Sequence, residues 1–181
     1  MAMINIHTFT SDDAGFSLVE LITVIAIISI LVSIATFAFH DWMVKSRVEA
    51  QVRDMAADIN NLRVRALTTK QRHSILINPG SYIFRSYTSE DQLIEDGEYV
   101  VGGIHRVAYN LKKNSTNMYA GEVYEIDSRG ILEIDSVMYP DNVIPVLVEY
   151  NGNASIDCLN IYAVRINTGK WNSSGDKCDD K

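Results

Sequence analysis

The sequence predicts an α+β fold in which one long N-terminal helix packs on antiparallel β-sheets. Three observations predict it. The 19 residues from Leu21 to Phe39 carry no formal charge, and an apolar pattern with helical spacing continues after them. The remainder of the chain consists of short β-rich segments separated by turn residues. Strands that follow one another without intervening helices favour antiparallel sheets over βαβ units.

The first element is a helix that we expect to run from about Phe16 to about Thr68. At 1.5 Å per residue its uncharged part extends for roughly 28 Å, which is enough to cross a bilayer. A secretory signal peptide is the competing interpretation, but its apolar core is about 7 to 15 residues long and follows basic residues. Residues 1–15 contain no Lys or Arg.

The second half of this helix is amphipathic. Apolar side chains recur at intervals of three and four residues, which places them on one stripe of the helix. They are Val44, Val48, Val52, Met55, Ile59, Leu62 and Ala66. This stripe must be buried against another part of the fold.

The β-rich segments supply that surface. Residues 73–77 and 82–87 flank Asn78-Pro79-Gly80, which predicts a hairpin. Further strands are predicted over residues 99–109, 121–126, 130–134, 143–150 and 158–166, with polar loops over residues 88–98 and 112–118.

Composition narrows the possible functions. The net charge of -7 and the pI near 5.0 argue against a surface that neutralises phosphate groups. The two cysteines, Cys158 and Cys178, can form a disulfide if the domain is exported, whereas in the cytosol they would be unrelated thiols. A structural zinc site would need further ligands that no nearby histidine supplies.

Neither a catalytic motif nor a metal-binding motif stands out. The four histidines have no ligand spacing, and there is no nucleophile elbow, phosphate loop or paired-acid motif. We therefore predict no enzymatic activity, no cofactor and no metal. Two acidic segments are candidate Ca²⁺ ligands, but solvated loops explain them better. Their acids are Asp91, Glu95, Asp96 and Glu98, and Asp176, Asp179 and Asp180.

One short motif carries the most functional information. The stretch Gly15-Phe16-Ser17-Leu18-Val19-Glu20, followed by the long apolar run, resembles the class III signal sequence of type IV pilins and type II secretion pseudopilins. The resemblance implies that a prepilin peptidase cuts between Gly15 and Phe16 and methylates the new amine of Phe16. It also implies three parts, namely a leader (1–15), a transmembrane and assembly helix (16–39) and a periplasmic pilin-like domain (40–181).

A narrower resemblance covers the region after the apolar run. Residues 39–71 are similar to the start of the GspH/FimT family of minor pseudopilins and minor pilins, and residues 124–132 and 160–171 resemble its later β turns. The family implies a long helix packed on two antiparallel sheets. Its implied partners are other pilin or pseudopilin subunits, prepilin peptidase, and the inner membrane with its assembly platform.

Glu20 is the only acid inside the apolar run. A carboxylate at the centre of a membrane helix costs about 2.5 to 3.5 kcal/mol, and less near a helix end. Cleavage creates a cationic amine on Phe16, and Glu20 of one subunit can pair with that amine on its neighbour, which sets the axial offset between subunits. The alternative is that Glu20 lies at the membrane interface of a plain signal anchor.

The chain departs from the family pattern in two respects. Asp12 and Asp13 stand where pilin leaders usually carry basic residues, and neither Gly nor Pro interrupts residues 16–39. The second departure predicts a continuous helix, loosened only where Ser29, Ser33 and Thr36 bond back to the preceding turn. The basic residues after the apolar run favour a cytoplasmic C-terminal side, but the family's orientation places it in the periplasm.

Two alternative functions remain open. The first is a signal-anchored periplasmic binding domain that never polymerises. The second is a minor pilin that binds DNA through Arg165 and Lys170, a role that the neighbouring acids make less favourable, so nucleic acid is an unlikely partner. A further basic group, Arg63, Arg65, Lys70 and Arg72, is predicted to be the solvated end of the long helix.

Overall fold

The computed structural model describes residues 15–89, 92–135, 139 and 141–181, with the backbone alone for residues 36–38 and 101. The elements in chain order are α1 (Leu18–Thr69), β1 (His73–Asn78), β2 (Ser81–Ser86), a 3-10 turn (Ile94–Asp96), β3 (Glu98–Arg106), β4 (Leu111–Lys112), β5 (Glu122–Ile126), β6 (Val143–Val148), β7 (Cys158–Tyr162), β8 (Ile166–Asn172) and β9 (Lys177–Asp180). The α+β arrangement predicted from the sequence is confirmed.

The chain divides into two compact units, residues 1–41 and residues 42–181. The first unit contains the apolar part of α1, and the second contains the amphipathic part together with every strand. The helix is assigned without a break from Leu18 to Thr69, as predicted from the lack of Gly and Pro. It ends where Lys70 takes a left-handed backbone conformation with φ of 56°.

The strands of the second unit form two antiparallel sheets. The first sheet has the order β3-β2-β1-β5, and the second has the order β4-β6-β7-β8-β9. The predicted hairpin is present, because β1 and β2 pair antiparallel with Ile75 opposite Phe84 and Asn78 opposite Ser81. Its turn is Pro79-Gly80.

The core of the second unit lies between the amphipathic part of α1 and both sheets. Val48, Val52, Met55, Ile59, Leu62 and Ala66 are almost fully buried, as the apolar stripe predicted. They belong to the same cluster as Ile75, Ile77 and Phe84 of the first sheet and Ile144, Val146, Leu159 and Ile161 of the second. Burying this stripe supplies the main apolar driving force for docking the helix on the sheets.

Several strand boundaries differ from the sequence prediction. The strand predicted over residues 130–134 is reduced to one bridge between Ile126 and Leu132, because the side chain of Asp127 closes a tight turn by accepting hydrogen bonds from the amides of Arg129 and Ile131. The strand predicted over residues 158–166 is two strands, β7 and β8, joined by a turn at residues 163–165.

Two strands were not predicted. β4 occupies the start of a segment interpreted as a polar loop and pairs with β6, and β9 lies beside β8 near the end of the chain. Neither has the apolar alternation by which a half-buried strand is recognised.

The outer strand of the first sheet contains a bulge. Ile83 pairs with Ile104 and Arg85 with Tyr99, so Phe84 alone lies opposite residues 100–103. Gly102 has a φ of 73°, which a residue with a side chain rarely adopts. The bulge interrupts the edge of the sheet at mid-strand.

Candidate processing and assembly site

The candidate cleavage site lies just before α1. The amide of Leu21 donates to the carbonyl of Ser17 at 3.1 Å, so the hydrogen-bonded helix starts at Ser17 and leaves Gly15 and Phe16 outside it. Phe16 is 84% exposed. A Cβ atom added to Gly15 would meet no described atom within 4 Å, so the fold does not require glycine here. The peptide bond between these two residues is accessible and non-helical.

Glu20 lies in the first turn of α1 and is exposed. An acid at this end of a helix interacts favourably with the partial positive charge of the free amide groups. The side chain is four residues from Phe16, close to the end where cleavage would create an amine. The geometry therefore suits a carboxylate that pairs with a cation at the start of a helix.

The apolar part of α1 satisfies its hydroxyl groups internally. Thr23, Ser29 and Ser33 donate to the carbonyls of Glu20, Ile25 and Ser29, each at 2.8 Å. Back-bonding is thus confirmed for the two serines, whereas the side chain of Thr36 lies outside the described part. Hydroxyl groups with internal partners are compatible with hydrocarbon.

This region is long and apolar enough to cross a membrane. The test is met by length and composition near the N-terminus, and it identifies one such helix among the described residues. Its large apolar side chains from Leu18 to Ile34 are mostly more than half exposed in the isolated chain. An apolar surface of this extent needs lipid or other protein around it.

The two cysteines are joined by a disulfide between β7 and β9. Both strands flank β8, and Gly169 of β8 lies beneath the bridge. A Cβ atom on Gly169 would lie 2.2 Å from the carbonyl oxygen of Asp179 and 2.8 Å from Sγ of Cys178. The glycine allows the close approach of the last strand. Residues between the cysteines form strands rather than the polar loop that we expected.

The two candidate DNA contacts have different surroundings. The guanidinium of Arg165 stacks on the ring of Tyr162 at 4.4 Å and is exposed. The ammonium group of Lys170 contacts the carboxylate of Asp157 at 2.5 Å, and Asp157 also accepts a hydrogen bond from the amide of Trp171 at 2.6 Å. Lys170 is therefore neutralised within the fold.

The nearby acids also have structural contacts. Asp180 accepts hydrogen bonds from Asn160, Tyr162 and Asn167, and these donors hold the pKa of its carboxyl group below its usual range even though partial burial opposes the shift. Asp176 accepts a hydrogen bond from the amide of Ser115 at 2.8 Å. The described residues contain no group of three candidate metal ligands.

The prediction that the basic group at the end of α1 is solvated is wrong for two of its members. Arg63 is only 6% exposed, and its guanidinium donates to the carbonyls of Tyr162 and Ala163 in the turn between β7 and β8. Burial lowers the pKa of Arg63. Its spacing of four residues from Ile59, on the apolar stripe, was the signal for burial.

Arg72 is the second exception. It forms an ion pair with Glu125 at 2.7 Å and lies over the ring of Tyr87 at 4.4 Å. Because Glu125 is distant in sequence, only the pairing of β1 with β5 brings the two charges together.

Sequence reasoning also missed a polar cluster at a cleft of about 600 Å³ between α1 and β3. Tyr82 donates to the carboxylate of Asp58 at 2.6 Å, and Nδ1 of His105 lies 3.1 Å from the same oxygen. The rings of Tyr82 and His105 stack with centroids 4.7 Å apart. Burial and the contact with Asp58 raise the pKa of Tyr82.

Comparison with known proteins identifies the N-terminal segment. Residues 10–36 match the family model described as the prokaryotic N-terminal methylation motif. Comparisons with curated proteins and with solved structures yield no match. The matched range contains Gly15, Phe16 and Glu20, and its residues 10–14 lie outside the described part.

The motif and the fold together define the class. This motif is the type IV pilin signal, and it indicates a type IV pilin-like or pseudopilin-like protein that is cleaved by prepilin peptidase. A long N-terminal helix followed by antiparallel sheets agrees with the pilin-like superfamily. Single-pass membrane anchoring and assembly with other pilin subunits follow as general properties of the class.

Proposed function

We propose that this chain is a minor pilin or pseudopilin of the GspH/FimT kind, a structural subunit of a type IV pilus or type II secretion pseudopilus. Prepilin peptidase cuts between Gly15 and Phe16 and methylates the new amine. The protein is held in the bacterial inner membrane by residues 16–39, with residues 40–181 in the periplasm. The observation that carries the proposal is the methylation motif on an exposed, non-helical Gly15–Phe16 bond.

Glu20 is the assembly residue in this proposal. After cleavage, the amine of Phe16 and the carboxylate of Glu20 are opposite charges near the same end of α1. In a low-dielectric filament core, each is costly alone and compensated when paired between subunits. The pair therefore fixes how far one subunit is displaced along the filament from the next.

Intact mass of the protein extracted from membranes tests the processing step. We expect a chain that begins at Phe16 and carries one methyl group. Gly15→Val should block cleavage without affecting the fold, because the position is open. Gly80→Val, at another open position, is the matched control and should be cleaved normally. An uncut wild-type chain would contradict the proposal.

Glu20→Ala separates a filament subunit from a membrane-anchored binding domain that never polymerises. The pilin proposal predicts normal cleavage with loss of assembly or of methylation, measured by mass and by recovery in sheared filaments. Asp41→Asn removes an exposed acid elsewhere on α1 and should change neither result. Normal methylation together with normal recovery of Glu20→Ala in filaments would rule out the assigned role.

A further inference from the structure

Four charged side chains form a row along the amphipathic part of α1. They are Arg47, Asp54, Asp58 and Arg65, at intervals of seven, four and seven residues. Because an α-helix has 3.6 residues per turn, these intervals return each side chain to nearly the same angle about the helix axis. The row therefore has the sign order plus, minus, minus, plus.

The row is accessible to a partner. Arg47, Asp54 and Arg65 are exposed, and none of the three takes part in an ion pair between described residues. Asp58 is half-buried and is held in place by Tyr82 and His105. The cleft of about 600 Å³ borders the row from Arg47 to Asp58, and a smaller one of about 200 Å³ borders it from Asp58 to Arg65.

We propose that this row binds a second copy of the same chain, with the two helices parallel and displaced by seven residues, which is about 10.5 Å. At that displacement Asp54 lies opposite Arg47 of the second copy. Arg65 lies opposite Asp58 of the second copy, so two ion pairs form together. The inference rests on the proposed function, since it describes how neighbouring subunits are placed in a filament.

Other parallel displacements are less favourable. With no displacement every charge faces its own kind, and a displacement of four residues brings Asp58 opposite Asp54. A displacement of eleven residues also pairs opposite charges, but it shortens the shared length of helix by four residues. Ala50 and Ala57 are exposed and also seven residues apart, so their short side chains let the helices approach closely at the proposed displacement.

Cysteine cross-linking of the full chain tests the displacement. Two differently tagged copies, one with Ala50→Cys and the other with Ala57→Cys, are expressed in bacterial membranes that contain prepilin peptidase and treated with a short bis-thiol reagent. The native cysteines are already bonded to each other. We expect the cross-link from this pair to exceed, by at least about threefold, that from two copies with Ala50→Cys.

A third combination, Ala50→Cys with Asn61→Cys, measures the displacement of eleven residues. A highest yield from this combination, or equal yields from all three, would overturn the proposal. The processing state of the same samples is read by mass. A cleaved chain without the expected cross-link refutes only this inference, whereas an uncut chain refutes the proposed function and this inference with it.

Charge reversal tests the chemistry of the contact. Arg47→Asp and Asp54→Arg should each lower the cross-link by about threefold or more, because each places like charges opposite one another. Combining both changes in every copy restores the opposite pair and should restore the yield. Arg53→Asp, which reverses an exposed charge outside the row, is the matched control. Failure of the double variant to recover while the control remains normal would reject the ion pairs.

Discussion

The guanidinium of Arg63 donates to the carbonyl oxygen of Ala163 at 3.1 Å, across 100 residues of sequence. The same group also donates to the carbonyl of Tyr162. A side chain on the buried face of α1 thus holds the turn between β7 and β8 against the helix. The contact is between a cation and peptide carbonyls, and the Nε and Nη1 atoms of Arg63 are buried without hydrogen-bond partners.

Arg63→Ala should lower the free energy of unfolding by about 2 to 3 kcal/mol, because it removes buried side-chain packing and leaves carbonyls without their donor. Chemical denaturation of the full chain in detergent, followed by tyrosine and tryptophan fluorescence, measures the change. Arg65→Ala, an exposed neighbour, should change stability by less than about 0.5 kcal/mol. Equal effects of the two substitutions would show that Arg63 is not a buried anchor.

His73 should make stability fall below neutral pH. It is fully buried, and burial is the main cause that lowers its pKa below the ordinary value of 6.5. The unfolded chain therefore binds the proton more readily than the folded chain. Its contribution is complete above pH 6.5 and is lost as the pH falls through 6.5 towards the lower pKa of the folded state.

Denaturation midpoints measured between about pH 7 and pH 5 test this prediction. Acids with lowered pKa values, such as Glu122 and Asp127, lose their contribution only in a more acidic range, so this window reports on histidine. His73→Gln should flatten the dependence, whereas His40→Gln, at an exposed position, should not. An unchanged slope in His73→Gln would contradict the assignment.

The disulfide should stabilise the second sheet. Closing a loop of this size, with the cysteines 20 residues apart, contributes about 3 kcal/mol. Replacing Cys158 and Cys178 together by Ser should lower the denaturation midpoint by that amount and remove its sensitivity to reductant. Free thiols in protein isolated from the periplasmic side would show that the bond does not form in the cell.

Gly169→Ala should destabilise the chain by about 2 kcal/mol or more, because the added Cβ would overlap the carbonyl of Asp179 in the adjacent strand. Gly175→Ala provides the comparison, since its nearest neighbour would be 3.5 Å away on a flexible lysine. Thermal unfolding of both variants gives the difference. A stability of Gly169→Ala equal to that of Gly175→Ala would mean that β9 does not pack against β8 as described.

The sequence was sufficient for the features that depend on local patterns. The apolar run and the stripe from Val48 to Ala66 predicted α1 and its buried face, and Asn78-Pro79-Gly80 predicted the first hairpin. The candidate cleavage site was found from adjacent residues, and the family model matches that same segment.

Features that depend on long-range contacts were not predictable in this way. β9 is polar, and it is held in place by pairing with β8 and by the disulfide. Asp58, Tyr82 and His105 come from three elements whose pairing no local pattern reveals. The burial of Arg63 was the one such feature with a local signal, because its position followed the apolar stripe.

The bulge opposite Phe84 has a consequence for life in a crowded assembly. A long, regular edge strand offers a row of free amide and carbonyl groups on which strands of other molecules can add without limit. In this chain the outer strand of the first sheet is broken at residues 100–103, where Gly102 turns the backbone away from a regular course. Many copies can thus be concentrated side by side with their sheets kept from fusing, and resistance to amyloid-like growth is a property of the edge itself.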